Sequence, residues 1–339
     1  MNFNLSEDQT MLKDTAERLF GDPVDGLWGR MAELGLLAAP FSEDHGGLGL
    51  GPIETMIIAE AAGQAQALSA YGAAVVAAGT AMRLSPEVPA EAVEALAGGQ
   101  RIIVWAHEEA GLSETAARTT SVRQGGGEWR VTGGKTNIVH AVDADAVVIT
   151  ADLDGDPAVL LVSLSEQGIG RRDYTLFDGS PACELSLEDA PVERVLATGE
   201  AARVLIERTR EHLVAWRAAE ATGLMQGMLD ATLEHLKTRR QFGETLSSFQ
   251  ALRHRAAEML VALEQARSMA MLAALSVDEG DPEARREAIG QVRSVVGRSS
   301  RFVAQAAVQL HGGVGVTEEH PVGRGFRRLT MIDLEMERV

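Results

Sequence analysis

The order of apolar and polar residues changes period twice along the chain. From Leu5 to about Gly98 it is helical, with Leu12, Ala16 and Leu19 recurring on one face. Ser6 and Gln9 make an S-x-x-Q capping box, which satisfies free amides at a helix start and so predicts where the first helix begins. Gly21-Asp22-Pro23 ends it, and a second helix is predicted around 27–36. After the turn His45-Gly46-Gly47-Leu48-Gly49, the residues Ile53, Met56, Ile57 and Ala61 resume the helical stripe. From about Arg101 to Val195 short β-prone runs take over: 102–105, 129–132, 146–149, 159–162 and 183–187, separated by Gly, Asp and Pro turns. From Ala201 onward long helical stripes return. Leu224, Met225, Met228, Leu229, Leu233 and Leu236 form one, Phe249, Leu252, Ala256, Met259, Leu260 and Leu263 the next, and Gly280-Asp281-Pro282 opens another. The predicted class is α+β, with an N-terminal helical domain (1–100), a central antiparallel β domain (101–197) and a C-terminal four-helix bundle (198–339). Strands without intervening helices argue against a doubly wound nucleotide fold.

Composition narrows the function classes. With 339 residues, 45% of them hydrophobic, the chain can bury a sizeable core, which excludes a disordered protein. A formal charge of −18 disfavours nucleic acid and anionic membranes, because phosphate contacts need clustered Lys and Arg. Cys183 is the sole cysteine, so an intramolecular disulfide and a Cys-based zinc site are ruled out. The first 20 residues carry acids and lack a basic and then apolar leader pattern, and no apolar run reaches the roughly 20 residues of a membrane span, so a cytoplasmic protein is expected. The eight histidines look scattered, without metal-ligand spacing. Glu108-Glu109 and Glu318-Glu319 read as solvated surface in so acidic a chain, and Glu220, between Trp216 and Leu224, as a structural acid inside an apolar helix.

Gly133-Gly134-Lys135-Thr136 ends like a P-loop, but Trp129 stands where the first glycine is required. Gly46 to Gly51 lies between helical runs instead of after a strand, so it reads as a turn. Two other segments point to a ligand. Thr238-Arg239-Arg240-Gln241-Phe242-Gly243 ends a long helix and Phe249-Gln250 opens the next; guanidinium grips diphosphate and an aromatic ring stacks, so this corner suits a flat anionic ligand. Gln309-Leu310-His311-Gly312-Gly313-Val314-Gly315 strips side chains from the backbone and permits close approach.

On these residues the chain resembles the acyl-CoA dehydrogenases over nearly its full length. The resemblance runs through Leu34 to Leu37, Phe41 to Gly49, the β zone, Arg239 to Gly243, Gln309 to Gly315 and Pro321-Val322. His235 to Gly243, Phe249 to Leu252, Ala262 to Met271 and Leu329 to Asp333 look most like the small subunit of the paired-subunit, pimeloyl-CoA dehydrogenase type. The resemblance implies FAD, a tetramer, α,β-dehydrogenation of an acyl-CoA, and an electron-transfer flavoprotein as acceptor. In such tetramers one subunit's β domain holds the isoalloxazine and a neighbour's bundle holds the diphosphate and adenosine. Carried over by position, Arg239, Gln241, Phe242, Phe249, Gln250, Gln309, Gly312 and Gly313 match the family's FAD contacts on the bundle.

The other half departs from the pattern. Where the family has T-E-P-G-A-G-S-D this chain has His107 to Glu114, and where the family has W-I-T-N over the flavin it has Asn137-Ile138-Val139-His140. The family's terminal glutamate base falls on Met336, between Glu335 and Glu337, with Val339 soon after; the alternative base position falls on Leu213, two residues beyond Glu211. Glu335 and Glu337 read as surface acids near a frayed end. The span between Phe20 and Leu27 is shorter than in family members, which suits a bulky acyl group such as a steroid side chain. Three readings follow. The leading one is an acyl-CoA dehydrogenase subunit sharing an FAD site with a larger partner subunit in an α2β2 complex; the others are a self-sufficient homotetramer using Glu335, Glu337 or Glu211 as base, and a non-catalytic assembly subunit.

Overall fold

A computed structural model describes residues 5–22, 25–111 and 118–338. The first helix, α1 (Glu7–Gly21), begins where the capping box requires: the Ser6 hydroxyl accepts from Gln9 N–H at 3.1 Å and the Gln9 side chain accepts from Ser6 N–H at 3.0 Å. Pro23 of the break after it lies outside the described residues. The second helix, α2 (Leu27–Glu33), stops three residues short of the expected end, because Gly35 adopts φ +72° and turns the chain away. The glycines after it form a turn, with Gly46 and Gly49 at positive φ. Helix α3 (Pro52–Gln64) follows, then a π-helical stretch (Gly72–Ala78) running into α4 (Gly79–Arg83), and α5 (Ala90–Ala97).

The strands are β1 (Ile103–Ala106), β2 (Ser121–Gly125), β3 (Glu128–Val139), β4 (Ala146–Leu153), β5 (Asp156–Ser163), β6 (Ile169–Thr175), β7 (Pro181–Pro191) and β8 (Arg194–Thr198). They form one sheet in the order β6-β7-β3-β2-β4-β5-β8, with β1 added beside β4. The expected antiparallel domain is antiparallel for the most part, and β1 and β2 correct it by running parallel to β4. Each of these two strands is joined to β4 by a connection longer than a hairpin, the condition for parallel pairing. The would-be P-loop lies inside β3, where Lys135 pairs in register with Leu185 of β7.

Four helices complete the chain: α6 (Gly199–Thr238), α7 (Gln250–Ser276), α8 (Pro282–His311) and α9 (Pro321–Arg338). Asp281 caps α8 by accepting from Glu283 N–H at 2.9 Å, with Pro282 at the first helical position. Between α6 and α7 a small hairpin joins β9 (Arg240–Gln241) to β10 (Glu244–Thr245). Among the described residues no helix is long and apolar enough to cross a membrane.

The chain divides into two compact units. One takes in α1, Pro52–Leu68 and everything from Val214 onward; the other holds Asp25–Gly51 and Ser69–Leu213, including the sheet. In the helical unit α3 and α6 meet backbone to backbone. A Cβ on Gly63 would lie 2.1 Å from the Glu220 carbonyl oxygen, and one on Gly223 would lie 2.0 Å from that of Glu60. The apolar stripe of α6 is buried here through Leu224, Met225 and Met228.

Candidate functional site

The two ligand-pointing segments of the sequence come together in the helical unit. His235, one turn before the end of α6, and His311, the last residue of α8, have ring centroids 4.4 Å apart; His320, just before α9, adds a third ring 4.8 Å from that of His311. Three of the eight histidines that look scattered in sequence thus form a stack at one corner. No two of them are near neighbours in sequence, so only the packing of α6, α8 and α9 reveals the cluster. The rings lie against one another instead of converging, and among the described residues no group of His, Cys, Asp or Glu is placed to hold a metal ion.

Arg239 sits at the mouth of this corner, in the first residue beyond α6. Among the described residues its guanidinium has no hydrogen-bond or carboxylate partner, although the chain carries 49 acids against 31 basic residues. The hairpin beyond it turns through Phe242 and Gly243, with φ values of +55° and +86°. Two consecutive positive φ angles define the tight turn that matches strand twist, and a phenylalanine there is strained. Phe242 is 91% exposed, and its ring centroid lies 6.2 Å from that of Phe249 in an edge-on arrangement. Gln241 and Gln250 are exposed beside it, and Gln309 is exposed on the last turn of α8.

Gly312 adopts φ +65° and ψ −147°, a region that side chains do not enter. Gly313 is different: a Cβ there would meet nothing within 4 Å, so the chain's own packing does not require a glycine. Gly315 and Gly323 are needed internally, since Cβ atoms would fall 3.0 Å from the Val308 oxygen and 2.0 Å from the Thr317 oxygen. The room above Gly313 lets a ligand approach the backbone closely. An unpaired guanidinium, an exposed aromatic and a glycine loop with room for a ligand to approach fit the diphosphate and adenine end of FAD.

In the sheet unit, the described residues at the corresponding positions differ from the family's threonines and tryptophan. In the segments where the family has its threonines and tryptophan, Glu108 accepts from the Asn137 amide at 2.8 Å, and the Tyr174 hydroxyl bonds Asn137 through its backbone N–H (3.0 Å) and side-chain oxygen (3.1 Å). These side chains spend their polar atoms on one another, and Glu108 adds a negative charge. Leu112, Ser113 and Glu114 lie outside the described residues.

Beneath this cluster Glu109 corrects the reading of Glu108-Glu109 as a solvated pair. Its carboxylate is buried, accepting from Lys135 Nζ at 2.6 Å, Thr119 N–H at 2.6 Å and the Thr119 hydroxyl at 2.7 Å. Burial alone raises its pKa, but the Lys135 ammonium and the Thr119 donors outweigh that and hold it at about 2. Burial pulls Lys135 down to about 8 against the pull of Glu109. Beside them His107 stays neutral, pushed well below its ordinary value by burial first and then by the positive charges of Arg118 and Lys135.

The three base candidates occupy different settings. Glu335 is not a surface acid on a frayed end: α9 is helical through it, and its carboxylate meets Arg217 Nε at 2.6 Å and Arg328 Nη1 at 3.4 Å. The same two arginines hold Glu220, with Arg217 Nη1 at 2.7 Å and Arg328 Nε at 2.7 Å, in a buried four-residue network. Both carboxylates are committed to ion pairs with the same two guanidinium groups. Glu337 is exposed and lies 3.7 Å from Arg301. Glu211 is buried on the sheet-unit part of α6, 3.6 Å from Arg208.

Helices, a mostly antiparallel sheet and a second set of helices follow one another along the chain. Two family models match, the acyl-CoA dehydrogenase N-terminal domain over residues 11–100 and the C-terminal domain over residues 203–333. The probable acyl-CoA dehydrogenase fadE25 of Mycobacterium bovis is 30% identical over 312 residues, covering 86% of this chain and 79% of the relative. Acyl-CoA dehydrogenase FadE27 of Mycobacterium tuberculosis is 30% identical over 310 residues, covering 88% and 81%. Among solved structures, a Tcur3481-Tcur3483 steroid ACAD variant superposes with a TM-score of 0.87 at 25% identity, over 96% of this chain and 92% of that one. Butyryl-CoA dehydrogenase from Megasphaera elsdenii shares the fold, with a TM-score of 0.88 at 21% identity, over 100% and 98%. The chain belongs to the acyl-CoA dehydrogenase family, whose members are FAD-dependent oxidoreductases.

Proposed function

We propose that this chain is the small subunit of a heteromeric acyl-CoA dehydrogenase, in the cytoplasm, paired as α2β2 with a larger subunit of the same family. Its bundle corner, Arg239, Gln241, Phe242, Phe249, Gln250, Gln309, Gly312 and Gly313, holds the diphosphate and adenosine of an FAD whose isoalloxazine rests on the partner. FAD supplies the hydride acceptor for oxidation of the acyl-CoA, and an electron-transfer flavoprotein receives the electrons. The partner supplies the carboxylate base, since Glu335 is engaged by Arg217 and Arg328.

One observation carries this reading: the contrast between an unpaired Arg239 beside an open glycine loop and the self-satisfied Glu108, Asn137 and Tyr174 cluster. The bundle residues stand open, whereas the described counterpart side chains of the sheet unit bond one another, which supports a site shared with a partner. A solved relative at a TM-score of 0.81 and 23% identity, covering 99% of this chain and 95% of that one, is the ChsE4-ChsE5 complex from Mycobacterium tuberculosis, a two-component assembly by its name. The test is expression of the chain alone and together with a larger family member encoded nearby. Flavin absorbance and acyl-CoA turnover are expected with the pair. Full FAD occupancy and turnover by the chain alone overturns the reading.

A further inference from the structure

The charged groups facing the histidine stack are positive. Arg239 comes from the end of α6 and Arg324 from α9; of the acids just before α9, Glu318 pairs with Arg327, and Arg324 donates to the Glu319 backbone carbonyl. His311 donates from Nδ1 to the Ala307 carbonyl at 2.9 Å, and His320 Nδ1 accepts from Val322 N–H at 3.2 Å. Among the described residues neither ring nitrogen of His235 has a hydrogen-bond partner. Burial, then the charge of His311, holds both His235 and His320 below the ordinary imidazole value, and Arg239 and Arg324 respectively add to this. With nothing bound, His235 and His320 are held toward the neutral form and Arg239 is the cation at the mouth of the corner.

An anion changes the sign of the field at every ring. A dianionic diphosphate beside Arg239 offsets the repulsion that disfavours protons on His235 and His320, whose rings flank that of His311 at 4.4 and 4.8 Å. We infer that His235, His311 and His320 form, with Arg239, a proton-coupled subsite for a diphosphate-type dianion, which takes up a proton from solvent as the anion binds. His235, with both nitrogens open, is the principal acceptor. The inference rests on the reading that this corner holds a diphosphate, and adds that affinity for it is set by pH.

The sign follows from linkage. A histidine whose pKa is depressed in the free protein and raised in the bound one makes binding tighter as pH falls through the bound value. The probe is ADP-ribose, whose diphosphate diester has no group of its own titrating between about pH 5 and pH 8, the range of histidine. The full-length chain, alone and with its partner, is titrated calorimetrically in buffer pairs of different ionisation heat. Net proton uptake near neutrality is expected, with affinity rising at least about threefold from about pH 8 to about pH 5.5. His235→Gln and His320→Gln are each expected to lower the uptake and flatten the profile. Binding that is flat with pH and releases or takes up no proton overturns the inference while leaving the diphosphate reading in place. So does uptake that neither variant reduces. No binding of ADP-ribose at any pH, with or without the partner, overturns the diphosphate reading and the inference together.

Discussion

Glu109 and Glu220 are carboxylates held charged inside the protein by cations that the sequence places far from them. Burial pushes each upward, and neighbouring cations more than reverse this, Lys135 for Glu109 and Arg328 with Arg217 for Glu220, so both sit at about 2. Both values lie below the roughly 4.3 of an unfolded glutamate, so the stability they confer is present above that pH and lost as pH falls toward about 2. Thermal melts are expected to drop steeply across this window, and the drop to be shallower in Glu220→Gln. Removing one member of the Glu220 network leaves an uncompensated buried charge, so Arg328→Met is expected to cost about 3–5 kcal/mol in denaturant unfolding. Glu220→Leu combined with Arg328→Met leaves Arg217 and Glu335 paired at 2.6 Å and is expected to cost less than the single change. The sequence indicated a structural Glu220 and misread Glu109, for one reason. Burial of Glu220 shows in its own apolar helix, whereas Glu109 sits in a polar run and meets Lys135 across the sheet.

At the scale of elements, periodicity carried most of the fold: the capped start of α1, the strand zone, and the Asp281-Pro282 start of α8 all follow from local residues. What local pattern does not carry is which elements touch. The parallel neighbours of β4 and the convergence of three helix ends at the histidine stack arise from tertiary packing. Glycines show the same division. Gly223 lets α6 lie on α3, and Gly223→Ala, with its Cβ 2.0 Å from the Glu60 oxygen, is expected to lower stability by about 1–3 kcal/mol or more. Gly313→Ala meets no atom within 4 Å and is expected to leave the melting curve within about 0.5 kcal/mol of the parent. The same substitution is expected to lower the flavin content of the co-purified complex, because a methyl there intrudes on the ligand side. A matched pair of melts and flavin spectra separates the packing glycine from the ligand glycine.

For the whole molecule the decisive quantity is where its charge lies. A net charge of −18 repels nucleic acid, and taken as a sum it also repels a dinucleotide. The arrangement reverses the second conclusion, because Arg239 is left without a carboxylate at the one corner where three imidazoles and an open glycine loop meet. An exposed guanidinium with no partner contributes little to folding, so Arg239→Ala is expected to melt within about 0.5 kcal/mol of the parent. Its effect belongs to the assembly. Loss of a charge-assisted contact to diphosphate is expected to weaken FAD retention by the complex about tenfold or more, read as flavin absorbance per protein after dialysis at rising salt. An assembly subunit that merely props up its partner predicts unchanged flavin at every salt concentration. A self-sufficient enzyme predicts the same loss of flavin from the chain purified alone, so measuring both preparations assigns the corner to one of the three.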